Sequence, residues 1–322
     1  MTRELLILRH GKSDWEAGTD DFHRPLKDRG KRAAQRVGVW LLQQGLLPDH
    51  VVSSPAERAS VTAEKACKAM GLNARIIHRE QAVYEAMTGE LLQVLASCPA
   101  SAQRVMLVGH NPGLEELLIY LAHESIAYPA DGKLLPTATV AKLAMPDDWQ
   151  GLHAGSARLL SITRPGELPK QFPFPFPDGP ERRDRPAYYY TQSSVIPYRL
   201  HDGRPEILIV SSSQRKHWVV PKGIRDPGLT PQESAAKEAW EEAGVEGQVA
   251  KDALGSYRYE KWGATCTVDV FPMEVTRTIP EDEWEERHRG REWVAPEVAQ
   301  RRLRQAELKP LVAALVSRLQ AG

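Results

Sequence analysis

Three carboxylates, Glu238, Glu241 and Glu242, fall at i, i+3 and i+4 within the stretch TPQESAAKEAWEEAGV. In a helix all three leave from one face. Closely spaced carboxylates offer the oxygen ligands that hard divalent cations such as Mg2+ take, especially where phosphates complete the shell. The helix has readable ends: Thr230 suits the N-cap, Pro231 the first helical position and Glu233 the return carboxylate of a capping box. Gly244 supplies the left-handed residue that stops it. The preceding loop carries Gly223, Gly228, Pro221 and Pro227, a rigid and tightly turned approach. A solvated acidic face has the same charges, and like charges at this spacing cost only a few tenths of a kcal/mol, roughly, on an exposed helix. Clustering alone leaves both readings open.

A second set of residues lies in the first half. Arg9 and His10 follow the apolar run Leu5-Leu6-Ile7-Leu8, Arg58 lies in a helical pattern that starts near Ala56 after Ser53-Ser54-Pro55, and His110 follows the strand-like run Arg104-Val105-Met106-Leu107-Val108. Planar guanidinium forks match the charge that a phosphoryl group spreads over three oxygens. A histidine nitrogen can accept that group when the imidazole is neutral, and flanking cations favour the neutral form. Taken alone, residues 9–11 suit ordinary polar positions at a strand end. The four sites together point to phosphoryl chemistry.

These side chains have to be brought together by the elements around them. The short apolar runs of the first half suit strands buried on both faces. Helical patterns follow them, such as GKRAAQRVGVWLLQQG, in which Val37, Trp40 and Leu41 share a face. Strands alternating with helices predict an α/β domain with a mainly parallel sheet, where ligands bind beyond the carboxyl ends of the strands. Arg9, His10 and His110 lie at such ends, and Arg58 follows one closely. In the second half, strands are predicted over 188–199 and 206–210, joined at the hairpin-like turn His201-Asp202-Gly203. Further strands fall around 256–259 and 264–275, suiting a mixed sheet. A C-terminal helix is predicted from near Pro296, with Leu308, Leu311, Leu315 and Leu319 along its buried face.

Between the halves, RPGELPKQFPFPFPDGPERRDRP is too proline-dense for a regular helix or central strand and favours extended polyproline II. Phe172, Phe174 and Phe176 are expected to pack across one of the two domains rather than stand in water as one row. A proline-rich ligand for a separate adaptor domain is the alternative. The organisation predicted is residues 1–164, a linker over 165–186, and residues 187–322.

Both halves resemble known families. Gly223, Glu238, Ala239, Glu241, Glu242, Gly244 and Val245 fall in register with the Nudix box, a pattern of Gly, five residues, Glu, seven residues, Arg-Glu-apolar-x-Glu-Glu-x-Gly-apolar. Leu229 stands where that pattern has its first Glu and Lys237 where it has Arg, so the charge pair expected between loop and helix is missing while the three carboxylates remain. SSSQRKHWVVPKG, AAKEAWEEAGV and REWVAPEVAQRRL are similar to the diphosphoinositol polyphosphate and diadenosine polyphosphate hydrolases. The resemblance implies an α/β/α sandwich with a mixed sheet. It also implies Mg2+ (or Mn2+) held by Glu238, Glu241, Glu242 and the Gly223 carbonyl, with Glu241 in a catalytic role as well. Arg215, Lys216, Lys222 and Arg225 sit close in sequence to the metal loop and suit phosphate binding, although Arg215 and Lys216 equally suit a solvated basic turn. Trp218 reads as core packing.

In the first half, LRHGKSDW, RPLKDRG, SSPAERASVTA, VGHNPGLEEL and LPTATVAKL resemble the histidine phosphatase superfamily, and within it the small SixA-like phosphohistidine phosphatases. The resemblance spans roughly residues 1–165 and implies an α/β/α fold. It makes His10 the nucleophile that becomes phosphorylated and Arg9, Arg58 and His110 the groups that hold the phosphoryl oxygens, with no cofactor. Glu85 is the candidate general acid by position; a carboxylate that merely complements a helix N-terminus is the other reading.

Length and composition bound the rest. A chain of 322 residues suits two domains. With 42 basic and 42 acidic residues the net charge is zero, which gives no footprint for bulk nucleic-acid binding. Cys67, Cys98 and Cys266 lie far apart without metal spacing, as buried free thiols in a reducing compartment do. The N-terminus lacks a signal-peptide pattern and no apolar run has membrane-spanning length. The expectation is a soluble cytoplasmic hydrolase with small phosphorylated partners, nucleotides or inositol polyphosphates, and no nucleic-acid or membrane partner. A phosphohistidine protein is a further candidate partner. The alternative is a signalling protein in which the phosphatase acts on a protein phosphohistidine and the Nudix unit only senses a nucleotide.

Overall fold

The computed structural model describes residues 3–123 and 126–321. The chain divides into two units, Met1–Pro186 and Ala187–Gly322. The first unit runs β1 (Arg3–Arg9), α1 (Asp28–Gln43), β2 (His50–Ser53), α2 (Glu57–Ala69), β3 (Ile77–Arg79), α3 (Thr88–Ala96), β4 (Arg104–Gly109), α4 (Gly113–Ala122), β5 (Val140–Met145), β6 (Arg158–Thr163), β7 (Phe172–Phe174) and β8 (Glu181–Arg183). Six of these strands form a sheet in the order β3-β2-β4-β1-β5-β6. The first four run parallel; β5 and β6 pair antiparallel at the other edge.

Alternation along β1 explains the layers. Leu5 and Ile7 pack with Leu91, Leu95, Leu114 and Leu117 of α3 and α4, and Leu6 and Leu8 with Val37, Leu41, Ala59 and Ala63 of α1 and α2. The sheet is therefore buried on both faces, as its unbroken apolar runs require. Burying each such leucine stabilises the fold by about 1.5–3 kcal/mol. Register places Arg9 opposite Gly109, so the segments after β1 and β4 leave the sheet side by side.

Residues 165–186 lie inside the first unit. Instead of one extended row, Phe172–Phe174 and Glu181–Arg183 pair as a two-stranded hairpin. With a single ladder, prolines can occupy positions whose missing N–H is not called on. Phe172 is buried against Val39 and Ala69, Phe174 stacks under the Arg183 guanidinium at 3.2 Å, and Phe176 stays 40% exposed.

The second unit runs β9 (Thr191–His201), β10 (Arg204–Ser211), β11 (Trp218–Val219), β12 (Lys222–Ile224), α5 (Pro231–Ala243), β13 (Val245–Val249), β14 (Gly255–Lys261), β15 (Ala264–Thr278), β16 (Arg291–Val294), α6 (Pro296–Arg302) and α7 (Leu308–Ala321). Its eight strands form one mixed sheet in which β9 and β15 are parallel. Val195, Leu208, Val210 and Phe271 face Ala235, Ala239 and Ala243 of α5. Ile196, Ile207, Ile209 and Val268 face Ala299, Val312 and Leu315 of α6 and α7. Residues 187–190 form a 3-10 turn ahead of β9, so the strand starts at Thr191. Asp202 and Gly203 both have positive φ, 51° and 73°, which a two-residue hairpin turn requires.

The single C-terminal helix expected from the leucine spacing is two helices. Leu303 turns extended, with ψ 127°, and the Arg304 N–H donates to the Trp218 carbonyl at 3.1 Å. This tertiary pairing offers a backbone partner that an uninterrupted helix would forgo. Leu308 and Leu315 are nevertheless buried as their spacing implied. Cys67, Cys98 and Cys266 are buried free thiols. No helix among the described residues is long and apolar enough to cross a membrane.

Two glycines test the packing. A Cβ on Gly38, in α1, would lie 2.3 Å from the Ala66 carbonyl oxygen of α2, whereas one on Gly89, in α3, would meet nothing within 4 Å. Gly38→Ala should therefore lose about 1–3 kcal/mol despite alanine's helix propensity. Gly89→Ala should be neutral or gain up to about 1 kcal/mol. Urea unfolding of the two variants measures both, and a stabilised Gly38→Ala would show that α1 and α2 do not meet as described.

Candidate active sites

Arg9 is the last residue of β1 and His10 follows it, His110 follows β4, and Arg58 lies in the first turn of α2. The side-by-side strand ends bring all four to a pocket of about 650 Å3, which Glu85 also lines. The His10 N–H donates to the Gly109 carbonyl at 3.0 Å, and the rings of His10 and His110 stand 5.2 Å apart. His10 Nδ1 lies 2.7 Å from the Gly11 carbonyl oxygen. A carbonyl only accepts, so the proton sits on Nδ1 and the Nε2 lone pair is free for the pocket. Burial, reinforced by Arg58, Arg9 and Arg24, holds His10 down at about 4. Burial and Arg58 likewise hold His110 at about 3. Both imidazoles are neutral near pH 7. His110 Nε2 meets the Ser54 hydroxyl at 2.8 Å, while its buried Nδ1 has no protein partner.

The arginines are fixed by groups outside the four sequence-derived sites. Asp21 accepts from Arg24 Nη2 at 2.7 Å, Arg58 Nη2 at 2.8 Å and the Tyr84 hydroxyl at 2.9 Å. Arg24, with Tyr84 and Arg58 beside it, holds the Asp21 carboxyl far below the ordinary carboxylate range. Arg24 also donates to the Ser13 hydroxyl. Arg9 donates to the Leu135 carbonyl at 2.8 Å. The buried Nε atoms of Arg9, Arg24 and Arg58 all lack a protein partner. Arg24 and Asp21 are the residues that sequence reasoning missed, although Arg24 begins the stretch RPLKDRG. Glu85 is exposed on the rim and its φ of 53° is unusual for a residue other than glycine or asparagine. Such local strain clusters at functional positions.

In the second unit α5 has the ends its sequence implied. Thr230 Oγ1 accepts from the Glu233 N–H at 3.1 Å, the Glu233 carboxylate accepts from the Thr230 N–H at 2.7 Å, and Gly244 closes the helix at φ 60°. Glu238 and Glu242 share a half-buried site. Burial, then the adjacent Glu242 carboxylate, pushes Glu238 up to about 8; burial also raises Glu242. A Cβ on Gly223 would lie 2.0 Å from the Glu238 carboxylate, so only glycine leaves that carboxylate its place. Gly223 itself pairs with Ser193 of β9.

The remaining carboxylates have protein partners. Glu242 accepts from Arg289 Nη2 at 2.8 Å and from the Lys222 N–H at 3.0 Å. Glu241 lies 3.3 Å from the Lys237 ammonium. Among the described residues no three His, Cys, Asp or Glu side chains are gathered into a metal-holding group. The donors present are nonetheless hard oxygens, and the crowded Glu238–Glu242 pair beside the Gly223 cradle fits a divalent cation. Arg289, which pairs with Glu242, was not legible in the sequence.

The loop–helix charge pair is present after all, which corrects the expectation drawn from Leu229 and Lys237. Lys237 lies 3.4 Å from Asp226, a loop residue three positions before Leu229. Of the four basic candidates, Lys222 precedes Gly223 directly and Arg225 follows it by two residues. The Lys222 ammonium stands 3.9 Å from the Tyr259 ring centroid, and burial, with Lys261 nearby, pushes it down to about 8. Arg225 donates its N–H to the Thr191 carbonyl at 2.9 Å. Arg215, at φ 53°, spends its Nε–H on the His288 carbonyl at 2.6 Å, beside Arg289. Lys216 is exposed. Trp218 is half-buried under the Arg302 guanidinium, at 4.3 Å, and packs against the second unit's core.

Comparison with known proteins matches each unit separately. The profile of the histidine phosphatase superfamily (branch 1) matches residues 5–92, and that of the NUDIX domain matches residues 190–315. Nudix hydrolase 12, mitochondrial, of Arabidopsis thaliana is 32% identical over 137 residues, covering 35% of this chain and 66% of the relative. Diphosphoinositol polyphosphate phosphohydrolase 2 of Rattus norvegicus is 35% identical over 121 residues, covering 36% of this chain and 64% of the relative. The chain thus spans just under two thirds of the length of either. A solved structure assigned as the phosphohistidine phosphatase SixA of Nakamurella multipartitia is 29% identical with a TM-score of 0.44, covering 51% of this chain and 97% of that one.

The depressed histidine pKa has a kinetic consequence. Since His10 protonates only near pH 4, its lone pair stays available as pH falls through 6.5, the ordinary value for histidine. If His10 takes the phosphoryl group, phosphoenzyme formation, followed by rapid quench with a small phosphodonor that does not itself ionise in this range, should be flat on its acid side from pH 8 to about 5 and fall only near 4. An acid limb centred on the ordinary histidine value would show that burial does not control His10.

Proposed function

Because the chain joins a histidine phosphatase superfamily domain to a NUDIX domain, we propose that it is a two-site phosphohydrolase. One site cleaves a diphosphate linked to another moiety and the other removes a phosphoryl group through a phosphohistidine. The observation that carries this reading is the convergence of Arg9, His10, Arg58 and His110 on one pocket, with the neutral His10 Nε2 free to react.

In the first site the Nε2 lone pair of His10 attacks phosphorus as the bond from phosphorus to the leaving group breaks. Arg9, Arg58 and the Nδ1 edge of His110 receive the phosphoryl oxygens, whose charge is largest in the transition state. Glu85 is the group on the rim able to protonate the leaving atom. Water then attacks the phosphohistidine and releases phosphate and free His10.

In the second site, Mg2+ or Mn2+ held by Glu238, Glu241, Glu242 and the Gly223 carbonyl would supply Lewis-acid polarisation of the diphosphate. Lys222 and Arg225, flanking the loop, take phosphate oxygens, with Arg215 and Lys216 at the neighbouring turn. The Lys237–Asp226 pair braces the loop against the helix, which supports turnover rather than nucleotide sensing alone. The substrate is a nucleoside triphosphate, oxidised forms included, a dinucleoside polyphosphate or a diphosphoinositol polyphosphate. Similarity to the rat diphosphoinositol polyphosphate phosphohydrolase supports that class. Cleavage of such compounds leaves terminal phosphates, which the first site can then remove, so that one chain carries both reactions of a sequence. The cytoplasm, where nucleotides and reduced thiols are found, is the compartment that fits.

Glu241→Gln and Glu242→Gln should each lower Mg2+-dependent anhydride cleavage at least about a hundredfold, about 2.7 kcal/mol, and near-normal turnover in both would remove the metal assignment. His10→Ala should leave that cleavage intact while abolishing phosphate release in EDTA. Given the anhydride substrate, wild type should yield the fully trimmed product and His10→Ala the phosphorylated intermediate. If both stop at the same intermediate, the two sites serve unrelated substrates.

A further inference from the structure

The most exposed large apolar side chains among the described residues are Trp15, at 72%, and Met87, at 70%. Both line the pocket of His10, yet the phosphoryl chemistry uses neither. Trp15 is also held in place. The Arg24 guanidinium lies 3.6 Å from its ring centroid, and Arg24, only 6% exposed, is itself fixed by Asp21 and Ser13. The backbone around Trp15 is tied down as well, through the Asp14 N–H to the Pro25 carbonyl at 2.8 Å and the bridge between Ser13 and Leu26. One face of the indole is therefore braced by a cation of the phosphate-binding network, while most of the residue remains exposed at the pocket it lines. The pocket, at about 650 Å3, has the size of a small-ligand site rather than of a phosphoryl group alone.

We infer that this pocket takes a phosphomonoester whose leaving group carries a planar aromatic ring of the nucleobase kind, stacked on Trp15 with Met87 at the rim. The inference rests on the phosphatase reading of this site and names its substrate class. An indole offers its face to any flat π-system, and Met87 adapts to an irregular apolar edge. Arg24 couples the two halves of recognition, since the same guanidinium braces the ring platform and belongs to the network that holds Arg58 through Asp21.

The test uses the full chain in EDTA, which silences metal-dependent cleavage. Phosphate release is followed from adenosine 5′-monophosphate and from ribose 5-phosphate, the same ester without the ring, with a phosphorylated histidine peptide as the third substrate. Wild type should show a KM about tenfold lower for the nucleotide, in the range that base–aromatic stacking supplies. Trp15→Ala should erase that advantage by raising the nucleotide KM far more than the ribose 5-phosphate KM, and Trp15→Phe should keep most of it. Equal KM values for the two esters in wild type would overturn the inference. An equal rise in both KM values with Trp15→Ala would overturn it too, by showing that Trp15 only steadies Arg24. Release from the peptide alone would overturn it while leaving the phosphatase reading intact, and release from none of the three would overturn both.

Discussion

A guanidinium that is to meet a phosphoryl group has to be held, charged and nearly dry, before the phosphoryl arrives. In the first unit the Asp21 carboxylate makes this possible. Burying unpaired charge costs several kcal/mol per ion, in order of magnitude, and Arg24 and Arg58 are both buried. Asp21 bonds to each of them and to Tyr84, so one negative charge supports two positive ones. The residual positive field then acts, after burial itself, to keep His10 and His110 neutral. The proposed nucleophile and oxyanion site thus depend on one carboxylate that, in the proposed reaction, transfers no proton and touches no phosphoryl oxygen.

Strand ends explain why part of this site was legible from the sequence. Arg9, His10 and His110 each follow an unbroken apolar run, and such runs are buried parallel strands whose carboxyl ends line the ligand crevice. Arg58 follows a third strand closely, in the first turn of the helix after it. Asp21 and Arg24 lie on the irregular segment between β1 and α1, where no period fixes the path of the chain. Arg289 sits in EDEWEERHRGREW, a charge-rich stretch that suits a solvated loop, and only the fold brings it 2.8 Å from Glu242. The C-terminal leucines likewise fixed which side chains are buried but not where the helix stops. That was decided by a backbone partner on β11, about eighty-six residues away in sequence.

The altered Nudix box shows how a physical requirement survives a change of residues. What the loop needs is a tie to the helix. Lys237 finds Asp226 within the loop when position 229 carries leucine, and the Asp226 N–H donates to Ser234 Oγ at 3.2 Å on the same helix. Asp226 therefore joins loop and helix twice, once through its side chain and once through its backbone. Reading the box position by position found a missing pair; the distances show a pair moved by three residues.

The two units solve opposite electrostatic problems by the same means. The first buries cations and meets an anion; the second half-buries anions and suits a cation. Each contains a partner of the minority sign, Asp21 in the first and Arg289 in the second, that eases the crowding without cancelling it. In the first the uncancelled remainder is visible in the orphaned Nε atoms of Arg9, Arg24 and Arg58. In the second it is visible in Glu238, pushed up to about 8 by burial and by the Glu242 carboxylate, a neighbour that Arg289 only partly offsets. Folding alone gains nothing from either remainder. Both are relieved when a charged ligand arrives, and the sign of the relief differs: a phosphoryl group can bind the first site directly, whereas it reaches carboxylates like Glu238 and Glu242 only through an intervening cation. On the proposed reading, the same phosphate chemistry would use a bound cation at one site and arginines at the other.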